Sequence, residues 1–368
     1  MRIRTLYRRP ACLVPLDLWL WAAALAMLAA GGAAHASGDP VAGFTAALVA
    51  VAVTSAVMGR AVDQLGGRLR PAVIGTFQAV IGNVPELIIG IMALQQGLVL
   101  VVQAAVIGST LNLLLLGNGL AFVVGGLRHR TLPIDPHRTQ ITRVALVMLI
   151  TILMAPALAV MLRTPAAEHA ETLSYVSAAA LLAVFAISLP TRLRANGDMS
   201  PPEQRSPETE TGEAPPWPLW LVLAVLAGSG LLIGIEADWF TDSLEPAVDA
   251  VGMSTAFVGL FIVSTVGNLS QIGPAVQLAW RGDADTATAI TMEGALQVAL
   301  LLAPLLTLLA PLVGAGSFTL IFPPMMIVAT IAAVILVVFV TIDGKVNAVE
   351  GAMLVALYAV LGSLFWWG

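Results

Sequence analysis

The sequence predicts an all-α membrane protein with about eleven transmembrane helices. Three observations support this fold class: the composition, the length of the apolar runs and the placement of the basic residues. Of the 368 residues, 58% are hydrophobic and only 11% are charged, and the mean hydropathy is +0.92. Soluble domains carry roughly 25% charged residues, so this chain has too few charges to keep its surface in water. The lipid bilayer is therefore an expected partner, and no nucleic-acid partner is expected.

Eleven apolar runs are long enough to cross a bilayer, because a spanning helix needs about 20 residues. Helices are the expected structure, since an open sheet would leave backbone groups without hydrogen bonds in lipid. In chain order the runs cover residues 14–34, 41–59, 72–94, 98–125, 142–162, 173–190, 217–236, 252–278, 286–313, 317–341 and 346–367. The single Cys and four His form no metal-binding motif, so no cofactor is expected.

The basic residues predict the orientation of these helices. If the N-terminus is cytoplasmic, every one of the 17 Lys and Arg except Arg163 falls in a cytoplasmic segment. Cytoplasmic segments of membrane proteins carry such an excess of basic residues. We therefore expect a multi-pass integral membrane protein with its N-terminus inside, in the inner membrane of a prokaryotic cell.

A polar segment divides the chain. Residues 191–217 are rich in Pro, Glu, Ser and Thr, which predicts a disordered cytoplasmic linker. A first half, 41–190, precedes it and a second half, 218–368, follows it. Residues 1–40 hold a basic segment and the first helix. This beginning also fits a signal peptide, but its apolar run exceeds the usual 7–15 residues, which favours an uncleaved helix.

The two halves contain a weak internal repeat. A shift of 185 residues places "GNVPELIIGIMAL" on "GNLSQIGPAVQLA", within motifs 71–119 and 256–304. The matched pairs are Gly82 with Gly267, Asn83 with Asn268, Glu86 with Gln271, Gly97 with Gly282, and Asn112 with Gln297. The turn at Gly97 is predicted outside and the turn at Gly282 inside. The two hairpins are therefore expected to be inverted copies, a signature of secondary transporters.

The repeat predicts a cation and proton site near the middle of the membrane. Glu86 is its centre, because a carboxylate in a spanning helix is costly and usually functional. The alternative is a protonated, structural Glu bonded to a neighbouring helix. Gly82, Pro85, Gly267 and Pro274 are expected to interrupt the helices and free backbone carbonyls. Candidate oxygen ligands beside Glu86 are Asn83, Asn268, Gln271, Gln297 and Asn112.

These residues resemble the calcium/cation antiporter superfamily, and most closely its cation/proton exchanger branch. The family's Gly-Asn-x-x-Glu-Leu is matched by Gly82, Asn83, Glu86 and Leu87, and its Gly-Ser by Gly108 and Ser109. "QVALLLAP" at 297–304, "IFPP" at 321–324 and "DGKVNAVEGAMLVALY" at 343–358 are similar to later motifs. The resemblance implies a secondary active antiporter that exchanges Ca²⁺, or a similar cation, for H⁺ by alternating access.

The second motif departs from the family pattern. The resemblance implies an acid where this chain has Gln271, and a Gly where it has Glu293. Two carboxylates neutralise Ca²⁺, whereas one neutralises a monovalent ion, and uncompensated charge is costly in a low-dielectric site. If Glu293 reaches the pathway, Glu86 and Glu293 form the metal ligands for Ca²⁺. If Glu293 is a packed residue instead, Na⁺/H⁺ or K⁺/H⁺ exchange is the alternative.

Other functions are weaker alternatives. No diphosphate, serine-hydrolase or metalloprotease motif supports an intramembrane enzyme, and the loss of the second acid leaves open a non-transporting sensor. Five acids are expected in an outer connection: Glu236, Asp238, Asp242, Glu245 and Asp249. They either concentrate cations near the pathway or form an ordinary solvated segment.

Overall fold

The computed structural model describes residues 15–64, 80–198 and 217–367. The basic segment before residue 15, the first part of motif 71–119 and residues 199–216 of the predicted linker lie outside the described residues. Within the described ranges the chain forms eleven helices, which together account for nearly all of its regular structure. This agrees with the predicted all-helical membrane protein.

The helices follow the predicted apolar runs closely. The first six are α1 (Pro15–Ser37), α2 (Pro40–Asp63), α3 (Val84–Gln95), α4 (Val99–His129), α5 (Pro136–Met161) and α6 (Ala170–Asp198). The last five are α7 (Leu219–Val251), α8 (Thr255–Trp280), α9 (Ala284–Leu309), α10 (Pro324–Val340) and α11 (Ala348–Trp366). Nine of these described helices are long and apolar enough to cross a membrane, while α3 and α10 are shorter.

Two helices extend beyond their predicted ends. Helix α6 continues to Asp198, so helix replaces the first residues of the predicted linker. Helix α7 continues through Pro246 to Val251 instead of ending near residue 236. Its extension has an apolar face, since Ala237, Phe240, Leu244 and Ala247 are buried at helical spacing. The predicted outer connection is therefore part of a helix.

The described part of the chain is not purely helical. Strand β1 (Thr131–Pro133) pairs antiparallel with strand β2 (Lys345–Asn347). This two-stranded ribbon joins the end of α4 to the start of α11. Asn347 and Glu350 then form a reciprocal capping box that begins α11.

The core forms where helices of the two halves cross closely. Gly108 of α4 lies against the backbone of Leu260 in α8, and Gly259 of α8 lies against Val101 and Ala104 of α4. Small residues allow such approach between membrane helices. Three π-helical segments interrupt the core helices, at Asn112–Gly117 in α4, Val258–Val263 in α8 and Val298–Leu302 in α9. Segments of this kind are frequent at functional sites.

The two matched hairpins each turn at a glycine in the same position of the repeat. Gly97 joins α3 to α4 with φ of 78°, and Gly282 joins α8 to α9 with φ of 94°. Such left-handed backbone favours glycine, which has no Cβ. The matched residues Asn112 and Gln297 also lie at the start of a π-helical segment in their respective helices.

Helices α1, α2 and α7 pack together at one side of this core. Asp17 of α1 is fully buried, and its Oδ1 accepts a hydrogen bond from Arg60 Nε at 3.0 Å. Its Oδ2 accepts from the indole Nε1 of Trp217 at 3.2 Å. Asp17 thus connects the beginning of α1 to the end of α2 and to Trp217, two residues before the start of α7.

Candidate cation site

Glu86 lies at the start of a short helix. The chain turns at Gly82 and Asn83, and α3 begins at Val84, which places Glu86 in its first turn. The N-terminus of a helix carries partial positive charge, so a carboxylate is favoured there. Glu86 is only 9% exposed, and its Oε2 has no hydrogen-bond partner among the described residues. A buried, unsatisfied carboxylate oxygen points to a bound ion or proton.

Gly267 of α8 lies directly against this carboxylate. A Cβ at Gly267 would be 2.5 Å from Glu86 Oε1, so a larger residue would displace the side chain. The predicted interruption at Gly267 and Pro274 is wrong, because α8 passes through both residues as a continuous helix. Pro274 removes one N–H donor from the helix interior, but neighbouring helices sustain such prolines in membranes. Gly267 therefore provides space for the Glu86 side chain and does not interrupt α8.

Glu86 lines two small cavities, one on each side. The first lies between α2, α7 and α8 and is lined by Leu48, Val51, Ser55, Phe240, Val263 and Gly267. The second lies between α4 and α9 and is lined by Gly90, Val101, Ser109, Leu302 and Leu306. Both linings are mainly apolar, so the carboxylate is the strongest ion-binding group on either wall.

The predicted amide residues contact the same group of helices. Asn83 Nδ2 lies 3.5 Å from Gln297 Oε1, which connects the start of α3 to α9. Asn268 Nδ2 donates to the Ser264 carbonyl oxygen at 2.7 Å within its own helix. Gln271 Oε1 lies against Gly294 of α9, where no Cβ obstructs it. The Asn83–Gln297 contact joins the first motif to the second, whereas the contacts of Asn268 and Gln271 lie within the second motif.

Asn112 joins three helices. Its Nδ2 donates to Thr265 Oγ1 of α8 and to Tyr358 Oη of α11, both at 2.9 Å. The side chain is fully buried, and its Oδ1 has no hydrogen-bond partner among the described residues. Asn112 therefore offers a carbonyl oxygen next to the π-helical segment of α4.

Glu293 lies apart from Glu86. Its neighbours Met292 and Gly294 are buried, whereas Glu293 is on the exposed face of α9. The described residues around the two Glu86 cavities do not include it. They also contain no cluster of three or more His, Cys, Asp or Glu side chains suited to a metal ion. The pairing of Glu86 with Glu293 as metal ligands stays a prediction.

Comparison with known proteins identifies the family. The family model for "Sodium/calcium exchanger protein" matches residues 40–193 and 221–367, which is most of the chain and includes both motifs. The chain belongs to the sodium/calcium exchanger protein family.

Relatives within this exchanger family are similar over nearly the whole length. The Ca²⁺/H⁺ antiporter of Aphanothece halophytica is 29% identical, over 89% of this chain and 90% of the relative. The vacuolar calcium ion transporter of Schizosaccharomyces pombe is 30% identical, over 87% of this chain and 78% of the relative. The solved structure of native YfkE has a TM-score of 0.78 at 25% identity and covers 95% of this chain and 99% of its own. These relatives are transporters, not enzymes.

Two polar residues of this exchanger-family chain were not singled out from the sequence. Tyr358 lies within the motif at 343–358, and its buried hydroxyl accepts from Asn112, as buried tyrosine hydroxyls usually require a hydrogen-bond partner. Glu236 was assigned to the outer acidic run, yet it is fully buried, and its Oε1 accepts from Thr54 Oγ1 at 2.8 Å. Its position next to the apolar stretch 219–235 was the available signal.

Proposed function

We propose that this chain is a secondary active antiporter that exchanges Ca²⁺ for H⁺ by alternating access. The observation that carries the proposal is Glu86, a buried carboxylate whose Oε2 has no partner among the described residues and whose Oε1 lies against Gly267. Similarity to proteins named Ca²⁺/H⁺ antiporters supports the choice of ions. The prokaryotic cell membrane is the proposed location.

The chemistry follows from competition at one carboxylate. A cation held by Glu86 requires the carboxylate to be ionised, while a proton on the same group neutralises it. Either occupant compensates the negative charge of the Glu86 carboxylate, so the state with an ionised Glu86 and neither occupant is disfavoured. We propose that side-chain oxygens of Asn83, Asn268, Gln271, Gln297 and Asn112 complete the coordination, since hard cations such as Ca²⁺ prefer oxygen ligands.

We also propose that the two hairpins are inverted repeats and that the N-terminus is cytoplasmic. The matched glycine turns at Gly97 and Gly282 support the repeat, as do the π-helical segments that begin beside Asn112 and Gln297. Inverted repeats place the site where the two copies meet, and alternating access then follows from movement of one group of helices against the other.

Cysteine labelling tests the inverted arrangement. In a chain whose Cys12 is replaced by Ser, we expect an impermeant thiol reagent applied outside to label Gln96→Cys but not Arg281→Cys. Both side chains are exposed at hairpin turns, and Arg281 avoids the positive φ of Gly282. Permeabilised cells provide the control, because both positions should then react. Equal external labelling in intact cells would contradict the inverted repeats.

Transport in proteoliposomes tests the function. With an acidic lumen, we expect Ca²⁺ uptake that requires the pH gradient and stops when a protonophore collapses it. Protein-free vesicles are the control. Mn²⁺, Na⁺ and K⁺ are compared in the same assay. Equilibrium Ca²⁺ binding without counterflow of any of these ions would support a sensor instead of a transporter.

Monovalent cation exchange is the second candidate, because Gln271 lacks a charge and Glu293 lies on an exposed face. The same assay separates the two candidates. If Glu293 supplies the second charge, Glu293→Gln should reduce Ca²⁺ flux far more than Na⁺ or K⁺ flux. Unchanged Ca²⁺ flux in that variant would remove Glu293 from the proposed metal ligands.

A further inference from the structure

A second carboxylate is buried between α2 and α7. Glu236 is 0% exposed, and its Oε1 accepts a hydrogen bond from Thr54 Oγ1 of α2 at 2.8 Å. Its other oxygen, Oε2, has no partner among the described residues. Each such unsatisfied group in a folded protein requires an explanation, and a role in binding a proton or an ion is one.

Comparison of the described acidic residues shows which of them are buried and lack an ion pair. Three acidic side chains are buried: Asp17, Glu86 and Glu236. Asp17 is neutralised by Arg60 and accepts a further bond from Trp217. Glu86 and Glu236 have no ion pair among the described residues, and each has an unsatisfied Oε2. Both carboxylates are therefore buried without a compensating positive charge among the described residues.

Glu236 lies next to the cavity that contains Glu86. Phe240 follows Glu236 by one helical turn on α7, and Val51 precedes Thr54 by about one turn on α2. Both Phe240 and Val51 line the Glu86 cavity. One turn of helix advances about 5.4 Å, so the Glu236–Thr54 pair lies one layer of side chains away from that cavity.

Other described charges near α7 are engaged or distant. The helices with the most extensive contacts to α7 are α1, α2 and α3, and α8 faces α7 across the Glu86 cavity but contains no Asp, Glu, His, Lys or Arg. The described titratable or charged side chains of α1 are Asp17 and His35, and that of α3 is Glu86. On α2 they are Arg60 and Asp39, which is the N-cap of this helix. Arg60 binds Asp17 and lies six residues beyond Thr54, about 9 Å along the axis. His35 stacks on Trp239.

None of the other acidic side chains of α7 is buried with Glu236. Asp238, Asp242, Glu245 and Asp249 are all exposed, and Asp242 accepts a hydrogen bond from Gln96 at 2.9 Å. Glu86 is therefore the one other described acid that is both buried and without an ion pair near Glu236. Glu86 thus lines the cavity, and Glu236 lies one layer of side chains away from it.

We propose that Glu236 is a second proton-carrying carboxylate of the exchange, a role that rests on the proposed Ca²⁺/H⁺ function. When Ca²⁺ is bound, both carboxylates are ionised and the site is neutral. When Ca²⁺ leaves, two hydronium ions each transfer one proton to an oxygen of one carboxylate. One O–H bond breaks in each hydronium ion, one O–H bond forms on each Glu, two water molecules remain, and the site is again neutral. With Glu86 as the sole carboxylate, the Ca²⁺ state would carry an uncompensated positive charge, which is costly in a low-dielectric interior.

The test is the number of protons moved per Ca²⁺ in proteoliposomes. Glu236→Gln keeps the size of the side chain and an oxygen that accepts from Thr54, so a merely structural role should leave coupling unchanged. We expect one fewer proton per Ca²⁺ and an exchange that becomes sensitive to an imposed membrane potential. Glu171→Gln, the same chemical change at an exposed residue in the first turn of α6, is the matched control and should keep wild-type coupling.

A measurement on the unmodified protein does not depend on the variant folding. Calorimetry of Ca²⁺ binding in buffers of different ionisation enthalpy gives the number of protons released, and we expect more than one per Ca²⁺. Release of a single proton, or wild-type coupling and voltage insensitivity in folded Glu236→Gln, would overturn the role of Glu236 while the antiporter function stands. Absence of gradient-driven Ca²⁺ transport in the wild type would overturn the function itself.

Discussion

Replacing Glu86 by Gln is expected to abolish cation/proton exchange. The amide has nearly the same shape but can neither balance a bound cation nor exchange a proton. Glu86 lines both cavities and faces Gly267, so no other described side chain is placed to substitute for it. We expect Ca²⁺ flux to fall at least about 100-fold, which corresponds to ~2.7 kcal/mol at 1.36 kcal/mol per tenfold change. The fall in flux is measured as pH-gradient-driven Ca²⁺ uptake into proteoliposomes.

The control for this substitution is Glu168→Gln. Glu168 is exposed in the connection before α6, so the same chemical change there should leave uptake unchanged. Size-exclusion chromatography of the two variants should give the same monodisperse peak, because a neutral side chain at position 86 removes a buried charge instead of adding one. Exchange at the wild-type rate by folded Glu86→Gln would refute the mechanism.

Gly108→Ala is expected to destabilise the fold strongly. A Cβ at Gly108 would lie 2.5 Å from Leu260 Cα and would overlap the Leu260 carbonyl group. The obstacle is backbone, which cannot rotate aside, so α4 and α8 must separate. Overpacking of this kind costs about 1–3 kcal/mol, and backbone contact places this site at the upper end. Thermal unfolding in detergent should show a clearly lower midpoint and a loss of extractable folded protein.

Gly273→Ala is the matched control in the helix that α4 contacts. Nothing lies within 4 Å of a Cβ at Gly273, and the residue is inside a regular helix. Alanine is favoured over glycine in helices by up to about 1 kcal/mol, so stability should be unchanged or higher. Equal midpoints for Gly108→Ala and the wild type would show that the α4–α8 crossing is looser than the structure indicates.

Helix number and order were predictable because apolar length is a local property of the sequence. All eleven predicted runs have a corresponding described helix, although α3 begins at Val84 within its run. The β1–β2 ribbon could not be predicted, since it pairs Thr131 with Asn347, and only the folded chain brings such distant residues together. The sequence predicts too short an α7, because five acids between residues 236 and 249 are typical of a connection between helices. The apolar face of α7 nevertheless continues along this segment of the helix, which ends at Val251.

The centre of the site was predictable, but its surroundings were not. A carboxylate in an apolar run identifies Glu86 from the sequence, and the repeat pairs Glu86 with Gln271 and Gly82 with Gly267. The close approach of Gly267 to Glu86 is a property of the fold that the repeat does not predict. The contacts of Asn112 with Tyr358, 246 residues later, depend on how α4 packs against α11. Glu236 required knowledge of which face of α7 packs against α2. Burial of a polar side chain within a membrane helix is decided by tertiary packing, which the hydropathy of one segment does not contain.

The buried Asp17 links biosynthesis to the completed fold. Its bond to Arg60 spans 43 residues, so both partners are available early in translation. Its bond to Trp217 spans 200 residues and cannot form until the ribosome has reached the end of the segment between the two halves. At 5–20 residues per second, that delay is about 10–40 s. We therefore expect the first helix to pair with α2 before the contact with Trp217 can form, and the Asp17–Trp217 hydrogen bond to form only after Trp217 has been synthesised.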